Sequence, residues 1–228
     1  MEKRHKKTLP RTLNYGSVCA KIGLAAILFI PPLLTVKYVV PQTVKRDPFQ
    51  AAERVEKKWP KELTRIYSIV KLNRPGVADT HAWKVSTAIL DECAKRNLDP
   101  MLVLAVIKVE SGFRDHALSP VGARGIMQIM PETGKFLTEE LLRVDGFEAR
   151  TFTPDHLDDP VLNIKLGVFY LEGLKRQFRN LHLALLAYNF GPSEIQNRLD
   201  NNIHFSEEYA AAVLNAYREF KKARARPF

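Results

Sequence analysis

The chain has 228 residues, 46% of them apolar and 26% charged, enough for one medium domain with a real core plus a tail or anchor. Its formal net charge is +10, but residues 1–46 hold nine Lys/Arg against Glu2 alone, so +8 of that excess is local and the rest of the chain is close to neutral; this argues against nucleic acid as a partner, because the basic footprint is not on the domain. Only two cysteines, Cys19 and Cys93, and six scattered histidines are present, which excludes a disulfide scaffold and leads us to expect no metal site and no cofactor.

In chain order, residues 1–21 read as a basic cytoplasmic tail and residues 22–40 as a transmembrane signal-anchor. About twenty apolar residues are needed to cross a bilayer, and this run just suffices if Lys37 snorkels to the interface. Pro31-Pro32 would kink it. A cleaved signal peptide is the alternative, but no small-x-small site follows the run, which continues Val39-Val40-Pro41-Gln42. Cys19 has no Leu three residues before it, which argues against a lipoprotein site. The basic flank should stay in the cytoplasm, placing residues 41–228 across the inner membrane, in the periplasm.

Residues 41–79 read as a linker with short helices, one over 51–58 and one over 63–72, closed by the turn Asn73-Arg-Pro-Gly76. Residues 80–228 read as the functional domain. Its first helix, 80–96, is capped by Thr80 or Asp79 and has apolar residues at helical spacing, with Cys93 a small buried one. Asp99 and Pro100 then open an apolar helix that runs to Glu110, and Gly112 stops it. Residues 118–130 allow either a strand pair or irregular loops with a short helix. Helices follow over 131–142, from Asp159-Pro160 through Phe178, over 181–189, and from the cap Ser206 past Tyr209, Tyr217 and Phe220. No regular set of alternating strands is present, so the fold class is mostly α.

Glu110 carries the most information. A helix apolar on most sides is buried. A carboxyl group in its last turn meets the negative end of the helix dipole and partial desolvation, and both raise its pKa. Such a group can act as a general acid near neutral pH. Taken alone, a Glu at a helix end is more often a solvated surface residue, so the neighbouring motifs decide its reading.

Those motifs are Val109-Glu-Ser-Gly-Phe113, Ser119-Pro-Val-Gly-Ala-Arg-Gly-Ile-Met-Gln-Ile-Met-Pro131, the stretch from Asp159 to Leu171, and Ala187-Tyr-Asn-Phe-Gly-Pro192. Through their order and separation the chain resembles the catalytic domain of soluble lytic transglycosylases, the goose-lysozyme-like SLT domain, over residues 84–220. The resemblance implies a lysozyme-like helical domain acting on the glycan strands of bacterial peptidoglycan. It assigns the single catalytic acid to Glu110 and substrate binding to Ser119, Gln128, Met130, Tyr188 and Asn189. It also implies the reaction: cleavage of the β-1,4 bond between N-acetylmuramic acid and N-acetylglucosamine without water, leaving 1,6-anhydromuramyl ends.

An ordinary glycosidase needs a second carboxyl group. The nearest ones in sequence are Asp115, Glu132, Asp158 and Asp159, of which Asp159 reads as a helix cap and the others as solvated. The alternatives are a muramidase on the same fold and a non-catalytic scaffold that binds the wall. Expected partners are the glycan strands, the inner membrane through the N-terminal helix, and an unidentified cell-envelope complex. The family pattern is departed from at Phe190, at Ser193-Glu194, and at Phe205-Ser-Glu-Glu-Tyr209, where Tyr209 reads equally as a cleft or a core residue. Core packing and substrate contact are equally good readings of Phe113, Met127 and Met130, and Arg124 alone reads as a surface charge.

Overall fold

A computed structural model of the chain describes residues 48–146, 151–204 and 206–222. The expected tail, signal-anchor and Cys19 lie outside them, as does Phe205. Among the described residues no helix is long and apolar enough to cross a membrane.

The described residues form helices α1 (Pro48–Asn73), α2 (Asp79–Arg96), α3 (Pro100–Ser111), α4 (Pro131–Asp145), α5 (Pro160–Phe178), α6 (Leu181–Phe190), α7 (Pro192–Asp200) and α8 (Glu208–Lys222), with a 3-10 turn at Pro154–Asp158. The mostly α expectation holds. The choice left open for residues 118–130 resolves into turns closed by two single antiparallel bridges, Leu118 with Arg124 and Arg124 with Ile129.

Helix α3 is the centre of the core. Met101 through Ile107 are all buried, and burying each large aliphatic side chain contributes about 1.5–3 kcal/mol. Its ends follow from local chemistry. The Asp99 carboxylate accepts from Met101 N at 2.9 Å, Pro100 occupies the first turn, and Gly112 takes the left-handed conformation at φ 58°. Helix α8 packs along α3, and α5 packs against α2 and α6. Asp159 caps α5 by accepting from Val161 N at 3.0 Å, and Cys93 is buried as expected.

Three elements differ from the sequence reading. The two short helices expected over 51–58 and 63–72 are parts of one helix, α1, which runs through Pro60. Proline in a helix interior costs about 3 kcal/mol; burial of Ile66, Tyr67, Ile69 and Val70 on the following turns opposes that cost. Helix α2 begins after Ala78, which makes no side-chain cap. Asp79 instead accepts from the Tyr67 hydroxyl at 2.8 Å and pairs with Lys71 at 2.8 Å. Helix α7 had no expectation at all, because Ile195 is its one fully buried residue and gives no periodic signal.

Candidate active site

Glu110 sits in the last turn of α3 and is half-buried. Its Oε1 accepts a hydrogen bond from the Tyr209 hydroxyl on α8 at 2.5 Å. Burial pushes the carboxyl group up to about 7, and the Tyr209 bond pulls the other way because it stabilises the carboxylate. Tyr209 and Tyr188 are both held well above the usual phenol range, first by burial and then by the Glu110 charge. The carboxyl and the two phenols therefore form one electrostatic cluster built from α3, α6 and α8. Tyr170 extends it from α5, with its ring 5.3 Å from that of Tyr188.

The resemblance assigns Tyr188 to substrate binding. Its hydroxyl is buried and donates to the Met127 carbonyl at 2.9 Å. It supports the loop that follows α3, and the direct partner of Glu110 is Tyr209. Separation of 99 residues hid that pairing from the sequence.

The loop itself is built from its own backbone. The Ser119 hydroxyl accepts from Ala123 N at 2.9 Å, and Ser119 N donates to Ala123 O at 2.9 Å. Gln128 has φ 50°, and its side-chain nitrogen donates to Ala117 O and Gly125 O, each at 2.9 Å. The Gln128 amide therefore ties the loop together on its nitrogen side. Met130, 36% exposed, stands at the N-cap just before α4, and Asn189 is exposed at the end of α6. Among the described residues no hydrogen bond joins Ser119, Gln128, Met130 or Asn189 to Glu110; the first three lie on the loop that follows α3, and Asn189 lies at the end of α6. Phe190, 39% exposed, follows Asn189 outward.

Two side chains that sequence reasoning passed over fix this loop. Asn163, fully buried on α5, accepts from Met127 N at 2.7 Å and donates to Arg124 O and Leu157 O, each at 2.9 Å. Gly125 is required beneath it: its φ is 83°, and a Cβ there would lie 2.1 Å from Asn163 Nδ2 and 2.3 Å from Leu157 O. Ser111 ties the end of α3 to the same loop, donating to Ile126 O at 2.7 Å. Asn163, Gly125 and Ser111 each lie inside one of the sequence motifs, and for Asn163 a polar residue among the apolar positions of α5 is the available signal. Phe113 and Met127 are core residues.

The rival carboxyl groups divide differently from expectation. Asp115 is not solvated: it is 3% exposed and paired with Arg74. Asp158 is half-buried and grips Arg124 with two hydrogen bonds, at 2.6 and 3.2 Å, so Arg124 is more than a surface charge. Glu132 is exposed and Asp159 caps α5. Among the described residues no three His, Cys, Asp or Glu side chains gather as a metal cradle. The arrangement offers one carboxyl group that can both give and take a proton near neutral pH, steered by a phenol.

The family model described as the Transglycosylase SLT domain matches residues 87–210, more than half of the chain. The soluble lytic murein transglycosylase of Escherichia coli (strain K12) is 36% identical over 100 residues, 43% of this chain and 15% of that protein. The membrane-bound lytic murein transglycosylase C of Mannheimia succiniciproducens is 26% identical over 145 residues, 60% of this chain and 38% of that protein. The crystal structure of the 70 kDa soluble lytic transglycosylase from Escherichia coli aligns with a TM-score of 0.52 at 27% identity, over 61% of this chain and 25% of that one. The chain thus spans well under half the length of these relatives. The matched stretch holds Glu110, the Ser119–Met130 loop, Tyr188 and Tyr209, and the chain belongs to the transglycosylase SLT domain family, with its lysozyme-like helical fold.

Proposed function

We propose that this chain is a peptidoglycan lytic transglycosylase in which Glu110 acts first as acid and then as base. The observation that carries the reading is the half-buried Glu110 carboxyl, pushed up to about 7 and bonded to Tyr209. Asp115 and Asp158, the rivals for a second catalytic carboxylate, are bound to Arg74 and Arg124.

Protonated Glu110 gives its proton to the bridging oxygen between N-acetylmuramic acid and N-acetylglucosamine. The C1–O bond breaks, and its electrons leave with that oxygen. The positive centre left at C1 is met by the sugar's own acetamido oxygen. The muramyl C6 hydroxyl then attacks C1 and loses its proton to the Glu110 carboxylate, which restores the acid. The Tyr209 hydroxyl supports the carboxylate during the interval in which it is charged. In this reading Ser119, through its O–H, and Gln128, through its side-chain oxygen, hold the substrate's polar groups. Met130, Tyr188 and Asn189 shape the wall.

The domain assignment of residues 1–21 as cytoplasmic tail, 22–40 as single-pass inner-membrane anchor, 41–79 as linker and 80–228 as the periplasmic catalytic domain belongs to the same proposal. It is supported by the charge and apolar pattern of the N-terminus. An envelope complex as a further partner remains part of it. Digestion of purified sacculi followed by mass spectrometry tests the reaction. Anhydro-ended muropeptides, each lighter by one water than a reducing-end product, are expected from the native chain and none from Glu110→Gln. Equal release by both would end the proposal, and reducing ends would convert it to a muramidase.

A further inference from the structure

The turn after Glu110 is held by residues that precede the family match. Gly112 and Phe113 both have positive φ, 58° and 66°. A phenylalanine keeps that conformation only when its surroundings impose it. The Phe113 ring is buried, and its carbonyl accepts from Arg74 Nη1 at 3.2 Å. The same nitrogen donates to Asp115 Oδ2. His81 Nε2 lies 3.1 Å from that oxygen, within ion-pair range but off the hydrogen-bond axis. The other Asp115 oxygen is buried with no hydrogen-bond partner among the described residues, so the Arg74 guanidinium is the charge that compensates this carboxylate. A buried charge deprived of its partner is strongly unfavourable. Arg74 follows α1 and His81 lies in the first turn of α2, both before residue 87, where the family match begins.

We propose that Arg74 and Asp115 are positioning residues for the Glu110 site: their ion pair pins the left-handed Gly112-Phe113 turn and so holds Glu110 in place against Tyr209. The proposal rests on the reading of Glu110 as the acid. It gives α1 a role in the reaction beyond its share of the core. The pair acts through geometry, since it holds the chain three to five residues downstream of the carboxyl group and makes no contact with it.

The test uses the full chain and the variants Arg74→Ala, Arg74→Lys, Asp115→Asn and Arg96→Ala. Arg96 is the control, because it too is an ion-paired arginine, 2.5 Å from Asp145, and stands at the other end of α2. Three quantities are read: the Glu110 titration by carboxyl-carbon NMR, kcat and KM on glycan strands, and the urea midpoint. In Arg74→Ala the Glu110 midpoint is expected to fall by about one pH unit, because the desolvation relieved as water reaches the carboxyl group is the larger effect and outweighs the upward push from a weakened Tyr209 bond. The kcat value should fall by about tenfold or more with KM within about twofold, the signature of a displaced reacting group. Arg74→Lys should recover much of both, and Arg96→Ala should lose stability with neither change. Loss of stability in Arg74→Ala with the Glu110 titration and kcat unmoved would overturn the proposal. If Arg74→Ala does not fold, Asp115→Asn keeps the shape without the charge and is read in the same way. Absence of muropeptide release from the native chain would instead overturn the proposed reaction, while the titration still decides the role of Arg74.

Discussion

Replacing Glu110 by glutamine should stabilise the protein at neutral pH, and by an amount that grows with pH. Burial pushes the carboxyl group up to about 7 in the folded chain, against its ordinary 4.5 when unfolded. Below the lower value both states hold the proton, and the group costs nothing. Between the two values the unfolded chain releases the proton and the folded chain keeps it, so stability falls as pH rises; above the folded value the loss is complete. At about 1.4 kcal/mol per pH unit, the gap amounts to about 3 kcal/mol. Glutamine does not titrate, and its oxygen can still accept from Tyr209. The native-minus-variant difference in unfolding free energy should therefore be near zero at about pH 4 and reach about −3 kcal/mol by about pH 8. Paired urea titrations across that range measure it, and other titrating groups cancel in the difference. A difference that stays flat with pH would refute the claim that burial raises the Glu110 pKa.

Removing the hydroxyl in Tyr209→Phe takes away a bond to the carboxylate worth about 1.5–3 kcal/mol, so the Glu110 pKa should rise by about one to two units. The alkaline limb of the pH–rate profile would follow it upward; a limb that stays put or moves down contradicts the assignment. Asn163→Leu leaves Met127 N and the Leu157 carbonyl without the side-chain partner they have in a buried setting, and strips the Arg124 carbonyl of one of its two donors, Ile129 N remaining. It should destabilise by about 3 kcal/mol or more, read as a lowered Tm. Gly125→Ala should be at least as damaging, since its Cβ would meet Asn163 and a backbone carbonyl; thermal stability equal to the native chain would show that the loop relaxes freely.

What the sequence revealed was written in local chemistry. The α3 boundaries follow from Asp99, Pro100 and Gly112, and the upward pull on Glu110 follows from the apolar run before it. The α5 boundary follows in the same way from Asp159 and Pro160. What it concealed depends on pairings across the chain. Tyr209 reaches Glu110 over 99 residues, and Arg74 reaches Asp115 over 41, so a carboxylate read as solvated is buried. Tyr188 and Gln128 sit in the expected motifs, yet they turn the Tyr188 hydroxyl and the Gln128 nitrogen inward to backbone carbonyls. Pro60 misled by its local rule, because packing downstream of it carries the helix through.

The central claim is that one carboxyl group closes the sugar on itself, with no water entering the bond that breaks. Digesting sacculi in water enriched in oxygen-18 tests it most directly. Muramyl ends released by the native chain should carry no heavy oxygen at C1; heavy oxygen incorporated there during cleavage would contradict the account.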